Sequence, residues 1–539
     1  MKKQLERGAV KKRDMEKLEY HMGPLNYVAH FAVFNPDSPS TKLRIVSHSA
    51  LKNIHTGLSL NDCMHAGPNQ LTDLLDVLLK FRGFEVGLLM DLSKAYQSIH
   101  TGEKEADLRL FLWRESPELP WGVYSYDRVN FGDLIAALCL ELAKRITAEK
   151  GGEIDETASS LMMEAMFVDD FLGGGSLEEV ERMRGSAVVD QNGEISYTGT
   201  MTKILSTTGF KTKAQVVTKS CSTEEAEALG DKALGLPYCP GTDVFMMKLQ
   251  ASITINRKRG TKVVTILQQG DLDRIRSGEA ELTKRAVLSF LMGNFDPLGL
   301  LTPLIVRGKI LLRRLYGPDC NLGWDDPLPT GERVPWLDLL RLAVDMDPIP
   351  FSRAVRPPGT VGNAWLIGFG DGSLAAFAST LYVRWKVETS WLEPKYVVNL
   401  LLAKARVSPV HGTSTPRSEM QSLIMTMRLM LIAIKTLPFK VERVVTALDS
   451  QCSIAATEKS GGILGPYFAN RVNEYYRLKG EIEDHVQLVE PLQYIPGELN
   501  VTADMCTRGK AKVEDIKPGS VWHEGPKFLK LEREEWPLN

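Results

Sequence analysis

Leu71, Leu74, Leu75, Leu78 and Leu79 recur three and four residues apart, which predicts an amphipathic helix over Gly67 to Arg82, broken by Gly83. The unbroken apolar run Val86-Gly87-Leu88-Leu89-Met90 then predicts a buried strand that ends at Asp91. A second such run, Met162 to Val168, leads into Asp169-Asp170, with Phe171-Leu172-Gly173-Gly174-Gly175 returning as its hairpin partner. Ser176-Leu177-Glu178-Glu179 has the spacing of a capping box and opens the next helix. Asn192-Gly193 predicts the tight turn of a small hairpin ahead of a helix over Met201 to Thr207.

Beyond residue 220 the pattern turns more helical, with an amphipathic stretch over Ala286 to Tyr316 that Phe295-Asp296-Pro297-Leu298-Gly299 interrupts as a turn. Pro348, Pro350, Pro357 and Pro358 suggest a linker. A new α/β unit follows: strands over Ala364 to Gly370, Phe377 to Trp385 and Val441 to Leu448, and helices over Ser418 to Lys435 and Pro466 to Leu478. The expected division is therefore 1–220, 221–350, 351–510 and a C-terminal extension over 511–539.

Composition changes this picture little. The 539 residues are too many for one core, and 43% hydrophobic with 24% charged residues is ordinary for a globular protein. The longest apolar run, near Leu423 to Ile434, contains Arg428 and is too short to span a bilayer, so no membrane association is expected. Seven scattered cysteines form no CxxC pair, so neither a zinc site nor a disulfide framework is indicated, and an intracellular, cytoplasmic setting is the expectation. The net charge of −2 argues mildly against a nucleic-acid partner. Three basic runs could still meet phosphates: Lys2 to Arg13, Arg257 to Lys262, and Arg307 to Arg314. Each could equally be a solvated face.

The candidate chemistry lies in carboxylates at strand ends. If the strands ending at Asp91 and at Asp169-Asp170 pair, three carboxylates converge and repel unless a divalent cation neutralises them. Oxygen-only ligands suit magnesium, and two ions about 3.5–4 Å apart would support in-line phosphoryl transfer. In the later unit Asp371 and Asp449 again end apolar strands, Glu419 lies in the first turn of a long helix, and Asp504 starts another. Taken singly, each acid has a plain structural explanation in turn chemistry, an acidic hairpin tip or helix-dipole stabilisation.

The order of motifs resembles the polymerase polyprotein of BEL/Pao-type retrotransposons over almost the whole chain. Phe167-Val168-Asp169-Asp170 is similar to the reverse transcriptase signature and is followed by the family's Phe-Leu-Gly-Gly. Asp91-Leu92-Ser93-Lys94-Ala95-Tyr96 is similar to the first catalytic motif, and Gly57 to Cys63 with Gly67-Pro68-Asn69 to a stretch ahead of it. Phe295 to Pro303 and Gly323 to Pro327 resemble the connecting region. Ala403 to Pro409, Pro416 to Glu419, Leu448 to Ser450, Ala503 to Gly509 and Gly525 to Leu529 resemble the RNase H part.

The resemblance implies a multidomain α+β and α/β protein: a right-hand polymerase with fingers, palm and thumb, a connection and an RNase H-like domain. It implies an RNA-directed DNA polymerase with RNase H activity, a transferase and hydrolase that copies retrotransposon RNA into DNA. Its partners would be an RNA template, a DNA primer, the RNA–DNA hybrid and dNTPs, with other polyprotein products, possible in retrotransposon particles. Carried over by position, the catalytic metal ligands are Asp91, Asp169 and Asp170 in the polymerase and Asp371, Glu419, Asp449 and Asp504 in the RNase H. Each site would hold two Mg2+, with Mn2+ as a substitute. Arg44, Tyr96, Phe131 and Gly132 are the expected substrate-binding residues, Tyr96 where the family excludes a ribose 2′-hydroxyl.

Four positions depart from the family pattern, the mildest being Gly372-Ser373 after Asp371, where the family often has Ala-Ser. Val46-Ser47-His48 replaces Val-Phe-Asp, Asp133-Leu134 replaces Ser-Pro, and no Lys-Trp follows Gly209-Phe210, although Lys211 and Lys213 are close. These departures support an alternative: a domesticated or decayed nucleic-acid-binding protein without polymerase activity. A viral RNA-dependent RNA polymerase ranks last, because it has no use for an RNase H unit. No protease motif or integrase zinc motif is visible, so a polyprotein fragment or processed product is expected.

Overall fold

The computed structural model describes the chain except residues 35–42, 192–194, 257–261, 318–319, 321, 390–391 and 460–463. The Asn192-Gly193 turn and most of the Arg257 to Lys262 basic run therefore lie outside the described residues. The chain forms two units, one of Met1–Val77 with Val86–Leu234 and the other of Leu78–Glu85 with Gly235–Asn539. The fold is a mixed α/β one. No helix among the described residues is long and apolar enough to cross a membrane.

The helix expected over 67–82 is shorter, α1 (Leu74–Gly83). Asn69 and Asp73 explain the late start, since their side chains accept the Leu71 and Leu75 amides at 3.1 and 2.8 Å. Such local bonds compete with the helical ladder ahead of a cap.

The first unit is organised around a four-stranded antiparallel sheet. Its strands are β1 (Val86–Leu92), β2 (Met166–Phe167), β3 (Asp170–Gly175) and β4 (Thr212–Val217), in the order β4-β1-β3-β2. Around it lie α2 (Ala136–Gly151), α3 (Glu156–Glu164), α4 (Leu177–Arg184) and α5 (Thr200–Ser206). Leu88, Met90, Phe171, Met162, Val180, Met183, Met201 and Ile204 share one buried core. The strand expected over Met162 to Val168 begins as helix: α3 runs to Glu164 and only Met166–Phe167 pairs. Asp155 caps α3 by accepting the Ala158 amide at 3.1 Å, and Ala158 and Met162, four apart, are both buried. That is helical spacing. The capping box at Ser176 and Glu179 forms as expected.

In the second unit, residues 236–266 contain strands where helix was expected, including β5 (Val244–Met247) and a hairpin of Ser252–Asn256 with Lys262–Ile266. The prolines read as a linker sit partly in β6 (Ile349–Ser352), which pairs with β5. Pro350 is tolerated because β6 is an edge strand. Helices α6 (Lys284–Gly293), α7 (Thr302–Arg314) and α8 (Thr330–Asp345) lie between.

The main sheet has β7 (Thr360–Gly372), β8 (Ala376–Thr389), β9 (Leu392–Val407), β10 (Val441–Leu448), β11 (Leu488–Val489) and β12 (Gln493–Tyr494). The order is β9-β8-β7-β10-β11, with β12 also on β10. Strands β7 to β9 are antiparallel, whereas β7 and β10 are parallel. Helix α9 (Thr415–Thr436) covers β7 and β8, α10 (Pro466–Glu483) packs on α9, and α11 (Val501–Arg508) lies against β7 and β8.

The 511–539 segment packs into this unit. Trp522 is fully buried and donates to the Leu300 carbonyl at 2.8 Å, and Arg384 donates to the Leu529 carbonyl at 2.8 Å. Members of the third basic run are also committed internally: Lys309 donates to the Ala405 carbonyl at 3.3 Å and Arg313 to that of Ser408 at 2.6 Å.

Candidate active sites

Pairing of β1 with β3 sets Asp91 directly opposite Asp170. Pairing of Phe167 with Asp170 makes Val168-Asp169 the two-residue hairpin tip. The Leu92 amide donates to the Asp169 carbonyl at 3.1 Å, which ties the tip back to the strand bearing Asp91. Val168 has φ +55°, a strained conformation for a β-branched residue, and this sharp turn sets the adjacent aspartates. Burial, followed by Asp169 and Asp91, pushes the Asp170 carboxyl up to about 7. Lys213, on β4, works the other way and forms an ion pair with Asp91.

Tyr96 packs edge-on against Phe131 with ring centroids 5.1 Å apart. Burial and the charge of Asp169 push its hydroxyl pKa up. Gly132 has φ +104°, and a Cβ there would collide with the Ser47 carbonyl oxygen, so the position accepts only glycine. Asn61 bridges the same turn, donating to the Gly132 carbonyl at 3.0 Å and accepting the Leu134 amide at 3.0 Å. Arg44 lies on the strand Leu43–Ser47, opposite Val33; its side chain lies outside the described residues.

The departure at Asp133 has a structural use. Its buried carboxylate accepts Ser49 Oγ at 2.7 Å and Arg109 Nε at 3.0 Å, and Arg109 is itself buried. A buried charge so satisfied is a built feature of the fold.

In the second unit β7 ends at Asp371 and Gly372, alongside the start of α9. A Cβ on Gly372 would collide with the backbone of Ser418 and Glu419, so this glycine lets Glu419 approach Asp371. Asp449 follows β10, the parallel neighbour of β7. Asp371, Glu419 and Asp449 line one cleft of about 400 Å³ together with Thr507 and Arg508. Burial is the main cause that raises all three carboxyls, with Asp449 reaching about 6 and Asp371 adding its charge to the other two. Thr507 donates to Asp371, and Ser450 to Glu419. Asp504, one turn from Arg508 on α11, pairs with it at 2.6 Å and lines an adjoining recess.

Among the described residues no group of three or more acidic, His or Cys side chains forms a ready ligand shell. Instead each cluster has drawn a cation from the chain, Lys213 on Asp91 and Arg508 on Asp504. Lys213, Arg508, Thr507 and Ser450 were not among the residues expected from sequence. Arg508 had a readable signal in its four-residue spacing from Asp504 on a helix, and Lys213 in its closeness to the position where the resemblance expects a lysine.

A family model described as Pao retrotransposon-like RNaseH-like domain matches residues 283–450, less than a third of the chain. The match includes Asp371, Glu419 and Asp449 and stops short of Asp504. None of the curated proteins matches the chain. Similar solved structures include the foamy viral protease-reverse transcriptase dRH with double-stranded DNA, at 12% identity and TM-score 0.48, covering 90% of this chain and 68% of that one. The foamy viral protease-reverse transcriptase with RNA/DNA hybrid gives 10%, 0.46, 92% and 52%, so this chain spans about half of that one. The same protein with dsDNA gives 12%, 0.45, 90% and 80%. Identities this low transfer no activity. What the family model shows is therefore a likeness of residues 283–450 to a Pao retrotransposon-like RNaseH-like domain.

Proposed function

We propose that this chain is an RNA-directed DNA polymerase with RNase H activity, each reaction served by one of the two carboxylate clusters. The observation that carries the polymerase reading is the direct opposition of Asp91 and Asp170, with Asp169 at the adjoining tip. Carboxylates held together against their repulsion, with a lysine drawn onto them, fit a divalent cation in chemistry and charge. Asp91, Asp169 and Asp170 would hold it in one unit, and Asp371, Glu419, Asp449 and Asp504 in the other. Magnesium or manganese, when bound, would supply charge neutralisation and polarise the attacking and leaving oxygens.

The chain's own residues supply the rest. Tyr96, braced by Phe131 and near the charge of Asp169, would form a wall against a nucleotide sugar. Lys213 would leave Asp91 when the cation arrives and offer its charge to a phosphate. In the second unit Thr507 and Ser450 orient Asp371 and Glu419, and Arg508, which lines the same cleft, would meet the scissile phosphate of a hybrid.

Extension of a primer on an RNA template with magnesium tests the proposal, comparing the intact chain with Asp169→Asn/Asp170→Asn. Incorporation by the intact chain alone supports it. Absence of incorporation by a folded sample supports a second reading, a nucleic-acid-binding protein without turnover. The buried Asp133 network disfavours decay.

A further inference from the structure

The first unit contains a second recess that shares no residue with Asp91, Asp169, Asp170, Tyr96 or Phe131. It has a volume of about 410 Å³, and Arg7, Lys94, His100, Arg128 and Lys211 line it together with Ser93, Gln97, Ser98 and Thr208. None of the described lining residues is acidic. Four separate parts of the chain contribute: the N-terminal segment, the residues from Ser93 to His100 after β1, the segment at Arg128, and the residues that lead into β4.

Its walls are fixed by backbone pairing. His100 and Arg128 are direct partners in an antiparallel bridge, flanked by bonds from Val129 to Ile99 and from Thr101 to Asp127, both 3.1 Å. Directly opposed residues send their side chains to one side, so imidazole and guanidinium enter the recess together. Arg128 Nη1 donates to the Ser98 carbonyl at 3.3 Å, while its Nε is buried with no hydrogen-bond partner. A buried guanidinium N–H without an acceptor is costly unless a ligand supplies one. Across the recess the Ser93 amide donates to the Lys211 carbonyl at 2.7 Å, which holds these two lining residues side by side.

The local potential is positive. Burial, Arg128 and Lys11 depress the His100 pKa, and Asp127 opposes them. Asp127 is itself paired with Lys11 at 2.6 Å and accepts Ser125 Oγ at 2.7 Å, so its charge is already matched.

We infer that this recess is a binding site for a compact phosphate anion of the pyrophosphate class. Four lysine and arginine side chains around a small volume suit a diphosphate better than one phosphate of an extended strand. The site begins two residues beyond Asp91, at Ser93 and Lys94, beside the carboxylate cluster. The inference goes beyond the polymerase reading, because anion binding is measured without synthesis and can succeed where polymerisation fails.

The test is calorimetric titration of inorganic pyrophosphate into the full chain without divalent ions. One saturable site is expected, weakened about tenfold or more by Arg128→Gln and by Lys211→Gln, the scale of one charge-assisted contact. Lys211 is exposed, so its variant keeps the question answerable if Arg128→Gln misfolds. Lys211→Arg should restore binding, and Asp169→Asn should leave it in place. A short single-stranded oligonucleotide, the other source of phosphate, should compete less well than pyrophosphate. No saturable binding, binding weakened by neither substitution, or stronger competition by the oligonucleotide would overturn the assignment.

Discussion

Asp91 and Asp170 stand directly opposite each other across β1 and β3, so two carboxylates leave the same face of one sheet. Opposed like charges destabilise a ladder, by up to about 1 kcal/mol, and the pair persists here with Lys213 drawn onto Asp91. Asp170→Asn removes that repulsion. The variant should be as stable as the parent or more so by about 1 kcal/mol in metal-free buffer at pH 8, yet should not extend a primer. Denaturant titration beside an extension assay checks both halves.

The two clusters belong to different units, so their activities should separate. Asp170→Asn should abolish synthesis and spare hybrid cleavage, and Asp449→Asn should do the reverse. Assaying both variants for both reactions decides it; loss of both reactions from either change would show that the assignment is wrong.

Gly372 carries no side chain because the backbone of Ser418 and Glu419 occupies that space. Gly372→Ala should push α9 away from β7 and cost about 1–3 kcal/mol, the usual penalty of overpacking. Hybrid cleavage should fall sharply while primer extension persists. A crystal structure or paired activity assays of the variant would show whether Glu419 has moved.

Arg353 and Asp243, 0% and 1% exposed at their side chains, form a bidentate pair at 2.6 and 2.8 Å. Tyr238 donates to the same carboxylate at 2.6 Å, and Arg353 donates to the Phe81 and Phe84 carbonyls at 2.6 Å each. Arg353→Met should cost about 3–5 kcal/mol, because it strands a buried carboxylate. Adding Asp243→Asn should recover part of that loss. A double-mutant cycle by chemical denaturation measures the coupling.

Asp296 accepts the Leu300 and Leu301 amides at 2.9 and 2.7 Å, and burial nevertheless pushes its carboxyl up to about 6 from 3.8. A folded-state value above the unfolded one means the fold holds the proton more tightly. This group's contribution is therefore full below about pH 4 and is lost as pH rises through about 6. Relative to Asp296→Asn, the parent chain should lose stability between pH 4 and pH 6. Melting temperatures of both proteins across that window test the sign.

Local sequence determined the elements whose signal is carried by near neighbours: the run to Asp91, the Ser176 capping box, the long helix bearing Glu419 and the strand ending at Asp449. It also marked Asp91, Asp169, Asp170, Asp371 and Asp449, because an acid at the end of an apolar run is visible without knowing the partner strand, and Glu419 and Asp504 at expected helix starts. It misjudged Met162 to Glu164, where a short apolar run serves helix and strand alike until Asp155 caps one of them. It also passed over β9, most of whose sixteen residues were left unassigned and which edge pairing with β8 holds in place.

What only the tertiary structure decided is who stands beside whom. The opposition of Asp91 to Asp170 is a matter of register, and a shift of one residue would send one carboxylate to the other face. Lys213 reaches Asp91 from 122 residues away, and Thr507 reaches Asp371 from 136. The basic recess draws on residues from Arg7 to Lys211. Electrostatic and steric effects act through space over a few ångströms, whereas sequence patterns register only the neighbours that a helix or strand brings round.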